Sequence, residues 1–318
     1  MTIQFPQPVS HSFVTSADIG LPQRDEWTPL YSDIDLSLDR EEGIYWCHLQ
    51  PQSRPSVTPE LLRDVTAMQS FLRAKTADAQ EEGQEIPFKY FVVASRSEGI
   101  FNLGGDLRLF ADAVRKKQKL LLRTYAHACV DIVWNNLTSY NQPVVTVALV
   151  QGDALGGGFE TALSCNVIVA ERSAKFGLPE VLFNLFPGMG AYSLIARRIG
   201  ALEAERMIMS GKIYTAEELH RIGLVDVLAE DGQGEAALRS YVSRHKRMQN
   251  AMQAVFQTRN QVAGITLQEL RNVTDIWVDA AMRLTATDLR KMERLAAAQD
   301  RRCNINQQET DEALMAAE

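Results

Sequence analysis

Cysteine is scarce. The four cysteines in 318 residues, Cys47, Cys129, Cys165 and Cys303, lie far apart and form no Cys-x-x-Cys pair. That removes the usual signs of a zinc site or a disulfide framework, and the four read as small apolar core residues. A run of about 18 apolar residues is also missing. The opening MTIQFPQPVSHSF has no basic start followed by an apolar stretch, so the expectation is a cytoplasmic protein without a membrane span. Excess positive charge is absent too: 33 Lys and Arg stand against 40 Asp and Glu, a net charge of −7. Such a field repels nucleic acid and anionic membranes, and neither is expected as a partner. No repeat or low-complexity tract occurs. His48, His127, His220 and His245 show no metal-ligand spacing, so no metal is expected.

What is present is a chain with 46% hydrophobic residues, enough to bury a large core. Residues 1–30, with Pro6, Pro8, Pro22 and Pro29 and little periodicity, read as a poorly ordered amino-terminal arm. From Ile34, apolar residues alternate with Asp35, Ser37 and Asp39. After the turn at Glu41–Gly43 comes IYWCHL, which together predicts a β-hairpin. A helix over 58–75, a surface loop over 75–85 and a buried strand over 88–95 follow. Then come a helical stretch 107–137, the strand PVVTVALV (143–150), a helix 157–165, a strand 166–170 and a helix 190–210. Strands alternating with helices predict an α/β body over 31–228 with a partly parallel sheet and its ligand site at strand ends. Over 229–318 the pattern is helical throughout. Leu267, Leu270, Val273, Trp277, Ala280, Ala281 and Leu284 share one face there, suited to capping the body or joining subunits.

Two glycine turns, Gly104-Gly105 and Gly156-Gly157-Gly158, each follow a buried strand and precede a helix. If they face each other, one amide from each converges on a single oxygen and stabilises negative charge there. Glycine suits the task because the substrate approaches the main chain closely. Two glutamates accompany the second turn, Glu160 in GGGFE and Glu180 in FGLPE. Taken singly, each also fits a solvated residue in the first turn of a helix. Together with two glycine turns they fit proton transfer beside a carbonyl compound. The apolar run Val181, Leu182, Phe183, Leu185, Phe186 and Met189 suits either core or a fatty tail. Arg108, Arg115, Lys116, Lys117 and Lys119 form a basic cluster after the first turn. It reads as a solvated helix face or as a contact for pantetheine phosphates or an acidic carrier protein.

The stretch ALVQGDALGGGFETALSCNVIVAERSAKFGLPEVLFNLFPGMGAYS resembles the core signature of the crotonase, or enoyl-CoA hydratase/isomerase, superfamily, with two glutamates 20 residues apart. FNLGGDL, GLPEVLFNLFPGMGAYS and DIWVDAAM further resemble the bacterial diffusible signal factor synthases; the likeness runs over about residues 31–303. The resemblance implies a spiral of ββα units with a carboxy-terminal helical trimerisation region. It implies Glu160 and Glu180 as the catalytic pair, Gly105 and Gly157 as the oxyanion-hole amides, and Gly104, Leu155, Gly156, Met189 and Trp277 as acyl-pocket residues. It also implies a substrate carried as a phosphopantetheine or CoA thioester without a further cofactor, and a homotrimer or hexamer. Dehydration of a 3-hydroxyacyl thioester followed by release of a cis-2-unsaturated fatty acid is the activity implied. An ordinary CoA-thioester hydratase or isomerase is the alternative. A protein that docks a cognate signal receptor or sensor kinase is a third reading, against which the intact glutamate pair counts.

Overall fold

The computed structural model describes the backbone of residues 25–317 and the side chains of residues 25–301. Most of the expected amino-terminal arm and the side chain of Cys303 therefore lie outside the described residues. Of that arm's last residues, Trp27 is buried and its carbonyl accepts from the Tyr45 hydroxyl at 2.7 Å.

The hairpin β1 (Ile34–Asp39) and β2 (Ile44–Leu49) opens the sheet, and α1 (Pro59–Glu81) follows. Thr58 caps α1 by accepting from the Leu61 amide, and Pro59 begins it, where its missing N–H costs nothing. The helix runs to Glu81, so the polar stretch after Lys75, expected as loop, is mostly helix. Its exposed face is simply charged.

Three successive units then build the body. The first is β3 (Tyr90–Ser95), β4 (Ile100–Asn102), α2 (Leu107–Arg115) and α3 (Lys119–Leu137). The second is β5 (Val145–Val150), β6 (Asp153–Leu155) and α4 (Gly157–Ser164). The third is β7 (Val167–Glu171), β8 (Lys175–Gly177), a 3-10 turn over Pro179–Phe183, α5 (Ala191–Ile199) and α6 (Ala201–Ser210). Then come β9 (Ile213–Thr215), α7 (Ala216–Arg221) and β10 (Val227–Ala229). The chain closes with α8 (Gly234–His245), α9 (Gln249–Val262), α10 (Leu267–Ala281) and α11 (Ala286–Ala317). Two expected helices are each divided: Lys117, with φ +53°, separates α2 from α3, and Gly200, with φ +93°, separates α5 from α6. The 3.6-residue pattern continues across both breaks, so periodicity does not mark them.

The first strand of each unit enters a six-stranded sheet, ordered β1-β2-β3-β5-β7-β10 and parallel beyond the hairpin. The second enters a four-stranded sheet, β4-β6-β8-β9. These short strands, three residues each, went unread in the sequence because so few residues carry no period. Side chains of β2 alternate between two cores: Tyr45, Cys47 and Leu49 face the larger, Ile44 and Trp46 the smaller, which α8 covers with Leu238 and Val242. In the larger core Phe159 of α4 meets Phe176 of β8 edge-on at 5.2 Å. Burying a ring of that size contributes about 1.5–3 kcal/mol and fixes α4 against the small sheet.

Because β4, β6 and β8 are parallel neighbours, their carboxyl ends lie side by side. The Gly104-Gly105 turn, the Gly156-Gly157 turn and the Pro179-Glu180 turn leave those three ends. Topology alone thus gathers segments that are about 75 residues apart in sequence.

Candidate active site

Each part of FNLGGDL has a local task. The Asn102 side chain accepts from the Gly104 amide at 2.8 Å, and Gly104 takes φ +94°. Asp106 caps α2 by accepting from the amides of Arg108 and Leu109, and pairs with Arg54 at 2.8 Å. Between these two anchors, no hydrogen bond from the Gly105 amide to a protein acceptor is found among the described residues. The same holds for Gly157, the first residue of α4, whose helix start leaves its N–H without an intrahelical acceptor. The two turns face each other closely: a Cβ on Gly104 would stand 3.1 Å from the Gly157 nitrogen, and one on Gly157 3.5 Å from the Gly105 nitrogen. Two unspent donors therefore border one gap. Only glycine fits at 104 and 156, both with positive φ and both facing a neighbour at under 3 Å from any added Cβ.

Glu160 lies on α4, is 1% exposed, and has one carboxylate oxygen accepting from the backbone amides of Met189 at 2.7 Å and Ala191 at 2.9 Å. Burial pushes its pKa up to about 7, against those two amides, which favour the anion. Glu180 sits in the 3-10 turn, with Oε1 2.6 Å from where a Gly156 Cβ would be. Its Oε2 is buried without a hydrogen-bond partner among the described residues. Burial and then the nearby Glu160 charge raise its pKa further, to about 8. Glu180, whose buried oxygen has no donor to help it carry charge, is thus the member of the pair that keeps its proton to the higher pH.

Both glutamates and Gly104, Gly105, Gly156 and Gly157 line a cavity of about 320 Å³. Leu155, Met189 and Trp277 line it too, so each site residue expected from the sequence borders one space. Trp277 of α10 is buried and meets the Phe110 ring at 5.1 Å, and Phe110 in turn covers Gly105. Of the apolar run after Glu180, Leu182, Phe183, Leu185 and Met189 reach the cavity. Val181 and Phe186 pack against the core instead.

Other lining residues were not singled out in the sequence: Leu107 and Phe110 of α2, Tyr125, Ala126 and Cys129 of α3, and Leu295, Ala298 and Gln299 of α11. Their helical periodicity is that of ordinary core, which leaves no separate signal. Of the two readings of the basic cluster, the structure fits the solvated helix face, with its cations exposed and paired to carboxylates of the same chain. Arg108 pairs with Asp300, Arg115 with Glu293 at 2.6 Å, Lys119 with Asp279 at 2.5 Å and Lys116 with Asp112 at 2.8 Å. Four of its five cations thus hold carboxylates of this same chain, two of them on α11. The Gln299 amide adds a bond to the Leu103 carbonyl at 3.1 Å, so α11 is tied beside the cavity to the segment 103–115. Among the described residues no cluster of His, Cys, Asp and Glu is arranged to hold a metal, and no helix is long and apolar enough to cross a membrane.

The enoyl-CoA hydratase/isomerase family model matches residues 66–302. The 2,3-dehydroadipyl-CoA hydratase of Escherichia coli is 39% identical over 139 residues, covering 43% of this chain and 53% of that protein. The chain thus spans about half the length of that relative. A probable enoyl-CoA hydratase, echA8, of Mycobacterium bovis is 31% identical over 211 residues, covering 65% of this chain and 73% of that protein. Among solved structures, enoyl-CoA hydratase from Bacillus halodurans superposes with a TM-score of 0.66 at 22% identity, over 83% of this chain and all (100%) of that one. Pseudomonas aeruginosa DspI gives a TM-score of 0.55 at 23% identity, over 73% and 89%. Both structures share the fold. With the alternating two-sheet units, the family match over most of its length establishes that the chain belongs to the enoyl-CoA hydratase/isomerase family.

Proposed function

We propose that the protein dehydrates a 3-hydroxyacyl thioester to the cis-2-enoyl thioester and then hydrolyses that thioester, releasing a cis-2-unsaturated fatty acid that serves as a diffusible signal. The observation that carries the reading is the meeting of two unspent backbone amides, Gly105 and Gly157, with two buried glutamates of raised pKa in one apolar cavity. A thioester carbonyl oxygen accepting from both amides becomes an electron sink, which acidifies the α-carbon. One glutamate, as the carboxylate, takes the α-proton. The C3–O bond breaks and the hydroxyl leaves as water with the proton of the other glutamate. The pair begins and ends with one proton, which suits a site that stores one.

For the second step, the proton that dehydration leaves on Glu160 returns to Glu180, and Glu160, held towards the anion by the amides of Met189 and Ala191, draws a proton from water attacking the same carbonyl. The tetrahedral oxygen stays on Gly105 and Gly157, and collapse expels the thiolate, which is protonated as the carrier thiol leaves. Release of the free acid is supported by the likeness of GLPEVLFNLFPGMGAYS and DIWVDAAM to signal factor synthases. The apolar walls formed by Leu107, Phe110, Phe183 and Trp277 support a fatty tail. The carrier is an acyl carrier protein or CoA, and the assembly a homotrimer or hexamer.

An ordinary enoyl-CoA hydratase is the second reading. The names of the relatives in Escherichia coli and Mycobacterium bovis favour it. Incubation with a 3-hydroxydodecanoyl carrier-protein thioester, with products identified by mass spectrometry against double-bond standards, separates the two. Free cis-2-dodecenoic acid is the expected product. A trans-2-enoyl thioester alone, or action on CoA esters only, replaces the proposal with the ordinary hydratase.

A further inference from the structure

Behind the active-site cavity lies a second, smaller one of about 40 Å³, enclosed between α1, α3 and the six-stranded sheet. Met189 is the residue that lines both. The two spaces also follow one another along α3: Tyr125, Ala126 and Cys129 border the first, Ile132 and Asn136 the second. At 1.5 Å of rise per residue, Ile132 is about 4.5 Å beyond Cys129 along the helix axis, a single turn.

The inner cavity is lined by Cys47, Leu49, Leu61, Val65, Phe91 and Ile132 among others, and its polar residues are already satisfied. Gln69 donates to the Ile132 carbonyl and its Oε1 accepts from Asn135. Asn136 accepts from the Tyr140 hydroxyl at 2.8 Å and donates to Ser164, Asn102 accepts from Gly104, and Thr161 donates to the Gly157 carbonyl. None of these groups is left with an unpartnered buried side-chain atom. A water molecule needs two to four polar partners to be held, so this space suits hydrocarbon. An occupant the size of one water takes about 10–15 Å³ by the same measure, which makes room for about three methylene-sized groups.

From this geometry we infer that Met189 is a gate that sets acyl-chain length. Its thioether closes the passage from the active-site cavity to the inner one, and its removal lets a longer tail continue along α3. The Met189 backbone is fixed by its bond to Glu160, and its side chain is an unbranched thioether with freely rotating bonds. A cavity kept open in the core costs stability roughly in proportion to its volume, which a hydrocarbon tail would offset.

The inference rests on the proposed fatty substrate but is tested without turnover. Binding of saturated fatty acids from decanoic to hexadecanoic acid is measured by calorimetry for the wild type, Met189→Ala and Met189→Ala/Val65→Leu. The double variant fills the inner cavity from α1. Met189→Ala should move the tightest-binding length upward by about three carbons. Each added carbon should improve affinity about fourfold, the equivalent of one buried methylene. Val65→Leu should return the preference towards the wild-type length, which a general loosening of the fold would not do. An unchanged length preference in Met189→Ala, with circular dichroism showing it folded, overturns the gate alone. If Met189→Ala does not fold, Met189→Val serves as the smaller step and is held to the same outcomes. No binding of any acid in the series to the wild type overturns the fatty-substrate reading as well.

Discussion

Glu160 and Glu180 line the same cavity, yet their surroundings differ. Glu160 is locked by two backbone amides from the Met189–Ala191 turn, whereas Glu180 keeps a buried oxygen without a partner among the described residues. Both are raised by burial; two backbone amides oppose the rise at Glu160, whereas at Glu180 the Glu160 charge adds to it and its own amide opposes it only weakly. Equal residue types are thus set apart by the two backbone donors on Glu160 and by the repulsion its charge exerts on Glu180. In the proposed reaction that inequality lets one proton serve two carboxyls.

The comparison is broken most completely by removing either acid. Glu160→Gln and Glu180→Gln should each lower kcat for dehydration by about 100- to 10,000-fold in a steady-state assay, the range typical of a lost general acid or base. Full activity in either variant would remove that residue from the mechanism. Gly157→Pro should cost about 100- to 1,000-fold by deleting one oxyanion donor. Proline is acceptable at the first position of α4, and although a Cβ there stands 2.7 Å from the Met189 sulfur, that flexible thioether can turn aside, so circular dichroism should show the fold kept.

Stability sharpens the contrast. Glu160→Ala leaves the amides of Met189 and Ala191 without their acceptor, at a cost of about 1–3 kcal/mol for each buried group, and thermal denaturation should show a lower Tm. Glu180→Ala breaks no such bond and should leave Tm at pH 8.5 unchanged or higher. The wild type should also lose stability with rising pH. Each folded pKa exceeds the unfolded value of 4.5, so from about pH 4.5 to 8 the native state keeps protons that the unfolded chain releases. The variant Glu160→Gln/Glu180→Gln should flatten that decline. The smallest effect belongs to α11: Arg108→Ala/Arg115→Ala removes two exposed ion pairs and should shift global stability by at most about 1 kcal/mol. Faster hydrogen exchange along α11 is the expected sign that those pairs hold it over the cavity.

Much of this site was legible in the sequence because glycine and glutamate in strand-to-helix turns have few other reasons to recur together. The β1–β2 hairpin, the α/β order and the helical last third were legible too, from periodicity. The four-stranded sheet was not, since its strands are only three residues long. Nor were Phe110, Tyr125 and Cys129 as cavity walls, for a residue facing a cavity and one facing core show the same pattern. The basic residues after Gly105 were legible as a solvated helix face but not in their pairing: Glu293 and Asp300 are nearly 200 positions away, and charge composition does not report pairing across that distance.

The protonation of the pair is open to direct measurement by infrared difference spectroscopy on the unliganded protein near pH 7.5. If Glu180 stores the proton, the wild type shows a carboxylic-acid C=O band that disappears in Glu180→Gln and persists in Glu160→Gln. A band that persists in Glu180→Gln and disappears in Glu160→Gln, or no band at all in the wild type, would contradict the division of roles between the two glutamates.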